Sequence, residues 1–271
     1  MNLFKHLESA RTFPPRRILL YGIRGIGTSS FAAGLSAPVF VPADESIAHI
    51  ECPRFPIAKR FADLMQALQE LYIEPHDYRT VIIDPLEAVE RLIRDEVCHQ
   101  HNVKHLTDLP RAASHVQAHW QRLLRRLDLL HGDIDLHVVL VGRAHETLTR
   151  CERPDDATVQ QRNCAARRFS PALARRASAL LQGWSDEVLF ATHAMPATSA
   201  VASSAKTSPA TVQPASTMPE DLRVIYTNPA PAHAAKNHLN LPPRLPFYPA
   251  ALLPYLRRAG APAQSQSASR N

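Results

Sequence analysis

Long apolar runs are missing from this sequence. None approaches the ~18 residues of a membrane span, and the opening stretch MNLFKHLESARTFPPRR has neither an apolar core nor a small-residue cleavage site. No membrane segment is expected, and the cytoplasm is the expected compartment. Cysteine is sparse: Cys52, Cys98, Cys151 and Cys164 are scattered, with no CxxC pair. The run Cys98-His99-Gln100-His101 is ligand-like in composition only, because it falls in a helical pattern where adjacent residues point apart; it reads as a solvated helix end. Lysine is nearly as scarce, five residues against 26 arginines, a bias that a GC-rich coding sequence explains. The net charge of +6 is unevenly spread: residues 1–194 carry 24 basic and 23 acidic side chains, and residues 195–271 carry seven and two. What remains is ordinary for a globular core, 45% hydrophobic and 21% charged over 271 residues, enough for one large domain or two small ones.

Short apolar runs alternate with amphipathic stretches. Arg17–Tyr21 (RILLY), Val39–Val41, Thr80–Ile83 (TVII), Leu136–Val141 (LHVVLV) and Val188–Ala191 read as buried strands. Between them, residues 28–35, 58–71, 86–100, 113–130 and 170–184 read as helices. Phe61, Leu64, Met65, Leu68 and Leu71 share one face at helical spacing, and Ser170-Pro171 reads as a cap and first-turn proline. Such alternation argues for a parallel sheet covered by helices on both faces. From 193 to 219 the chain is rich in Ala, Ser, Thr and Pro and lacks periodicity, the signature of a disordered linker. Leu222–Tyr226 resumes as a strand, residues 229–249 form a proline-punctuated segment wrapped on the core, and the end of the chain, from about 250 to 271, reads as a largely disordered tail. The expected organisation is an extension at 1–15, a core at 16–192, the linker, a returning segment at 220–249 and the tail.

Glycine is as informative as it is rare. The chain has eight, and Gly22, Gly25 and Gly27 fall between the first strand and the first helix. Glycines there let backbone N–H groups turn inward around an anion. The phosphate-loop pattern GxxxxGK[ST] maps onto Gly22 to Ser29 at every fixed position except the lysine, which is Thr28. Ser29 occupies the position whose hydroxyl ligates Mg²⁺, and Ser30 follows it. Asp84, 55 residues beyond Ser29 at the end of an apolar strand, is the matching second acidic element, holding the metal through water. Gly22, Gly25, Gly27, Thr28, Ser29 and Ser30 are therefore the candidate nucleotide-binding residues, with Ser29 and Asp84 as the candidate metal pair. Arg24 lies inside the loop.

The stretch LLYGIRGIGTSSFAAGLSAPVFVPADE resembles the ATP-binding phage recombination proteins of the single-strand-annealing, RecA-like type, which also occur as AAA-domain ATP-binding proteins. The segments QALQELYIEPHDYRTVIIDPLEAVERLI, HVVLVGRAH, FSPALARRASALLQGWSDEVLFAT and AHAAKNHLNLP continue the likeness, in the same order and spacing, over about 15–192 and 220–246. The resemblance implies a three-layer α/β P-loop fold, RecA-like, with a mostly parallel sheet. It implies ATP and Mg²⁺ as ligands, and that Asp44-Glu45 supplies a carboxylate positioning the attacking water. It further implies that Lys236-Asn237 faces the nucleotide of a neighbouring subunit, hence a homo-oligomer. This chain departs from the family at Thr28 for lysine, Pro85 for serine or threonine, Arg143 for histidine and His238 for arginine. Four polar positions around one site have changed while the hydrophobic frame is intact.

Losing one charge-assisted hydrogen bond costs about 1.5–3 kcal/mol, roughly 10- to 100-fold in affinity, and more in the transition state, where charge develops. Weak ATP binding with impaired hydrolysis is one expectation. The other is a non-catalytic pseudo-ATPase serving as an interaction module for single-stranded DNA or protein. After Val141 the chain is polar and aperiodic as far as Phe169 and carries Arg150, Arg153, Arg162, Arg167 and Arg168, read as a flexible loop whose arginines could neutralise DNA phosphates. Asp155-Asp156 and the lack of an aromatic before Phe169 count against base stacking.

Overall fold

The structure is a computed structural model and describes residues 14–150, 165–194 and 222–256. The linker expected at 193–219 lies almost entirely outside the described residues, as do most of the N-terminal extension and residues 257–271. Strands β1 (Arg17–Gly22), β2 (Pro38–Pro42), β3 (Thr80–Asp84), β4 (His137–Arg150) and β6 (Glu187–His193) form the parallel heart of the sheet. Its order is β2-β3-β4-β1-β6, extended by β7 (Arg223–Tyr226) and β9 (Arg244–Pro246), both antiparallel to their neighbours. The two-residue strand β8 (Lys236–Asn237) pairs with the start of β6. β5 (Ala165–Pro171) pairs antiparallel with β4.

The strands read as unbroken apolar runs because both of their faces are covered. Leu19, Tyr21, Val81, Ile83, Val138 and Leu140 point to one side, where they meet α2 (Phe61–Ile73), α3 (Leu86–Gln100), α4 (Ala112–Gly132) and α5 (Arg175–Trp184). Ile18, Leu20, Ile82, Val139 and Val141 point to the other, against α1 (Thr28–Ala33) and α6 (Pro249–Leu256). This is the three-layer α/β architecture expected. Trp120 on α4, fully buried, is the largest side chain of the first layer. At the foot of β1, Arg17 reaches Asp186 at 2.8 Å and Asp128 at 3.3 Å, and so ties the strand to α4 and the α5–β6 turn.

Three local expectations are corrected. The polar stretch after Val141 is not a loop from its start: β4 runs on to Arg150, and β5 returns alongside it in a hairpin projecting beyond the point where β1 ends. Its residues alternate without an apolar side, with His145 to Leu148 exposed, so periodicity gives no strand signal. Ser170-Pro171 ends β5 and does not cap a helix; α5 starts at Arg175. The helix at Pro249–Leu256, which buries Leu252 and Leu256, occupies the beginning of the expected tail. Pro254 inside it masked the pattern.

Candidate functional site

The loop after β1 is held from three sides. Ile23 N–H donates to the Ala191 carbonyl of β6 at 3.1 Å, and Ile26 N–H to the Ile23 carbonyl at 3.2 Å. Ile26 itself is buried in the second apolar layer, anchoring the loop from below. Gly25 and Gly27 adopt φ of 81° and 98°, backbone conformations that favour glycine. Gly27 then serves as N-cap of α1, and its carbonyl accepts the Phe31 N–H at 2.9 Å. From the outside, Arg223 Nη1 donates to the Ile26 carbonyl at 3.2 Å, and its guanidinium lies 5.5 Å from the Phe247 ring centroid. Phe247 in turn stacks on Phe31 at 4.9 Å. The returning C-terminal segment therefore braces the loop. Arg24, Gly25 and Ser30 are exposed, and Thr28 and Ser29 are half-buried.

Asp84 ends β3 and is 2% exposed. The Ser29 hydroxyl lies near enough to its carboxyl to favour the charged form, while Asp84 Oδ2 has no partner. β3 is not adjacent to β1, since β4 lies between them; the two residues meet across the top of β4. Burial pushes Asp84 up to about 7, a rise that Ser29 opposes and the nearby carboxylates of Asp44 and Glu87 reinforce. Glu87, one residue into α3, is the member of this cluster the sequence reading missed. Its Oε1 accepts the Arg143 backbone N–H at 2.6 Å, its Oε2 is buried without a partner, and burial raises its pKa too. The sequence signal was available: Glu87 follows Asp84 by three residues, at the mouth of a helix. Asp44 accepts the Ser46 N–H at 2.8 Å as cap of a short turn and bears electrostatically on Asp84 and Glu87. Glu45 is exposed. The acidic pair is thus divided between a residue near the cluster and one in solvent.

Oxygen donors with unpartnered buried carboxylate oxygens suit a magnesium ion, which takes one or two carboxylates and fills its other positions with water and phosphate. Among the described residues no three His, Cys, Asp or Glu side chains form a group that could hold a metal ion.

Lys236 is elsewhere. It pairs with Val188 near the start of β6, whereas the loop sits near the strand's far end, where Gly22 pairs with Ala191. Its Nζ donates to the carbonyls of Ser185 at 2.6 Å and Gly183 at 3.2 Å, closing the end of α5. Within one chain the structure does not bring Lys236 to the loop. Of the five arginines proposed for DNA, Arg150 ends β4, Arg167 and Arg168 are exposed on β5, and Arg153 and Arg162 lie outside the described residues. Arg167 is paired across the hairpin with Glu146 at 3.2 Å.

A mostly parallel sheet, a glycine loop after its central strand and a serine hydroxyl meeting a buried aspartate two strands away define a P-loop nucleotide-binding domain, here without its lysine. The chain belongs to the AAA-domain family: the family model described as "AAA domain" matches residues 14–239. Among solved structures, one titled "Crystal structure of the RadB recombinase" aligns with 79% of this chain and 80% of its own, at 12% identity and a TM-score of 0.39. No curated protein matches.

Proposed function

We propose that this protein is a RecA-like nucleotide-binding protein of the DNA-recombination class that binds Mg·ATP weakly and hydrolyses it poorly. The observation carrying the reading is the Ser29–Asp84 pair beneath an intact glycine loop, with Asp84 Oδ2 left for a further ligand. Ser29 and Asp84 would hold the magnesium ion, which supplies charge neutralisation for the phosphates; backbone N–H groups of Gly22 to Ser30 would cradle those phosphates. Thr28 puts a neutral hydroxyl where a cation belongs, and Pro85 removes a hydroxyl from the residue after Asp84. In this reading binding depends on the shape that Gly25 and Gly27 give the loop, and turnover on charges, one of which Thr28 removes.

Titration calorimetry with Mg·ATP tests this. Weak binding is expected, with ATPase activity near background. Thr28→Lys should tighten binding about 10- to 100-fold and improve turnover less, since Pro85 and Arg143 are untouched. Wild-type turnover of about 1 s⁻¹ or more, within the ordinary range of enzymes, would defeat the reading.

A second reading, as a single-stranded DNA interaction module, draws on the β4–β5 hairpin, which stands beyond the sheet with Arg167 and Arg168 exposed. Each phosphate neutralised on a single strand contributes about −0.7 to the slope of log affinity against log salt. Replacing both arginines with alanine should therefore flatten the slope by about 1.4 in fluorescence anisotropy with a labelled oligonucleotide. An unchanged slope would remove the hairpin from DNA binding. A role for Lys236 toward the nucleotide of a neighbouring subunit belongs to the same class of proposal and requires a homo-oligomer.

A further inference from the structure

We propose that Arg143 supplies, from the tip of β4, the phosphate-binding positive charge that the loop lost at Thr28. The inference rests on the nucleotide-binding reading above and assigns the missing charge within it.

Placement comes first. β4 lies between the loop strand β1 and the acidic strand β3, and in register Arg143 is the partner of Gly22, the first loop glycine. On the other side Ile83 pairs with Leu140, so Arg143 stands past the level of Asp84, over the edge where loop and carboxylates converge. Its backbone is clamped: the N–H donates to Glu87 Oε1 at 2.6 Å, and the carbonyl accepts the Ala172 N–H at 2.8 Å. The strand packs closely on the start of α3 here: a Cβ at Gly142 would meet Glu87 Oε1 and Leu86 Cδ1 at 3.4 Å.

The side chain, in contrast, is exposed, and among the described residues its guanidinium makes no hydrogen bond or ion pair. Its charge nevertheless bears on both Asp84 and Glu87. A guanidinium within electrostatic reach of the buried Asp84 and the half-buried Glu87, yet in contact with neither carboxyl, leaves space for a third group. A metal-bound phosphate satisfies all three parties: the carboxylates take the cation, and the five-donor guanidinium fork takes phosphate oxygens.

Other cations are less well placed. Arg24 is exposed on the rim of the loop. Arg223 is engaged from outside, by the Ile26 carbonyl and the Phe247 ring. Lys236 closes α5 at the opposite end of the sheet. The loss at Thr28 and the arginine at 143 thus read as one exchange, with the charge moved from the loop to the neighbouring strand.

The test is calorimetry with Mg·ATP and Mg·ADP on the full chain, with thermal melts to verify folding. Arg143→Gln should weaken ATP about 10- to 100-fold, the loss of a charge-assisted contact, and weaken ADP far less. Arg143→Lys, which keeps charge but not the fork, should fall between. Adding Thr28→Lys to Arg143→Gln should more than recover the lost affinity, a larger gain than the same change gives in the wild type. A folded Arg143→Gln variant that binds ATP as the wild type does overturns the assignment, as does a loss seen only with Arg24→Gln. A wild type that binds neither nucleotide overturns the underlying reading, and the assignment with it.

Discussion

Gly22→Ala is expected to destabilise the protein by about 1–3 kcal/mol, the usual cost of forcing a methyl group into a packed site, and to abolish nucleotide binding. A Cβ at Gly22 would lie 2.7 Å from the Ala191 carbonyl oxygen and 2.8 Å from Ile26 Cγ2. Neither neighbour can give way easily. The carbonyl belongs to β6, fixed in register with β1, and accepts the Ile23 N–H; Ile26 is the buried anchor of the loop. Gly25 provides the contrast. Nothing lies within 4 Å of its Cβ position, and its φ of 81° is the only demand. Asparagine tolerates that region better than alanine does, so Gly25→Asn should be milder than Gly25→Ala. At Gly22 the order should reverse, because there volume decides. Chemical denaturation of the four variants reads both orders. A Gly22→Ala variant within about 0.5 kcal/mol of wild type, the range of an ordinary surface change, would show that β1 and β6 can part here and that packing does not set the loop.

The parts of this fold that were legible in the sequence are those where one local pattern suffices. RILLY followed by three closely spaced glycines gives β1 and its loop, and TVII followed by aspartate gives β3. The facing of Ser29 and Asp84 follows from the phosphate-loop pattern, although the strand interposed between them did not. What escaped depends on distant partners or on weak periodicity. Arg223 braces Ile26 from 197 positions away, and no local signal marks it. Glu87 and Arg143 gain their meaning from a backbone hydrogen bond across 56 positions. Arg143 read alone is a lost histidine; beside Glu87 and Asp84 it is the cation of an acidic cluster. The β4–β5 hairpin is exposed on both sides, so its strands lack the apolar face by which strands are recognised. Lys236 was assigned through the family likeness alone, and the geometry of one chain places it under α5.

Glu187→Gln is expected to stabilise the protein increasingly as pH rises from 5 to 8. Glu187 opens β6 and is fully buried. Its Oε2 accepts the His238 N–H at 3.0 Å, while Oε1 is buried with no partner. Burial pushes the carboxyl up to about 7; the backbone bond from His238 and the charge of Arg16 oppose the rise, and Asp186 adds to it. In the unfolded chain a glutamate titrates near 4.3. Between these values the folded state holds a proton that the unfolded state has released. The stability this contributes is therefore complete below the unfolded value and is lost as pH rises through about 7. The slope is at most about 1.4 kcal/mol per pH unit for one proton. Glutamine mimics the protonated carboxyl in shape, keeps an acceptor for His238 and does not titrate. Denaturation of wild type and variant at pH 5, 6.5 and 8 should thus show a gap that widens with pH and levels off above about 7. A gap independent of pH would mean that the carboxyl is already ionised in the folded protein at pH 5, with Arg16 outweighing burial. The same residue ties His238, and through it β8, to the central sheet, so glutamine, which keeps an acceptor there, isolates the effect of the charge.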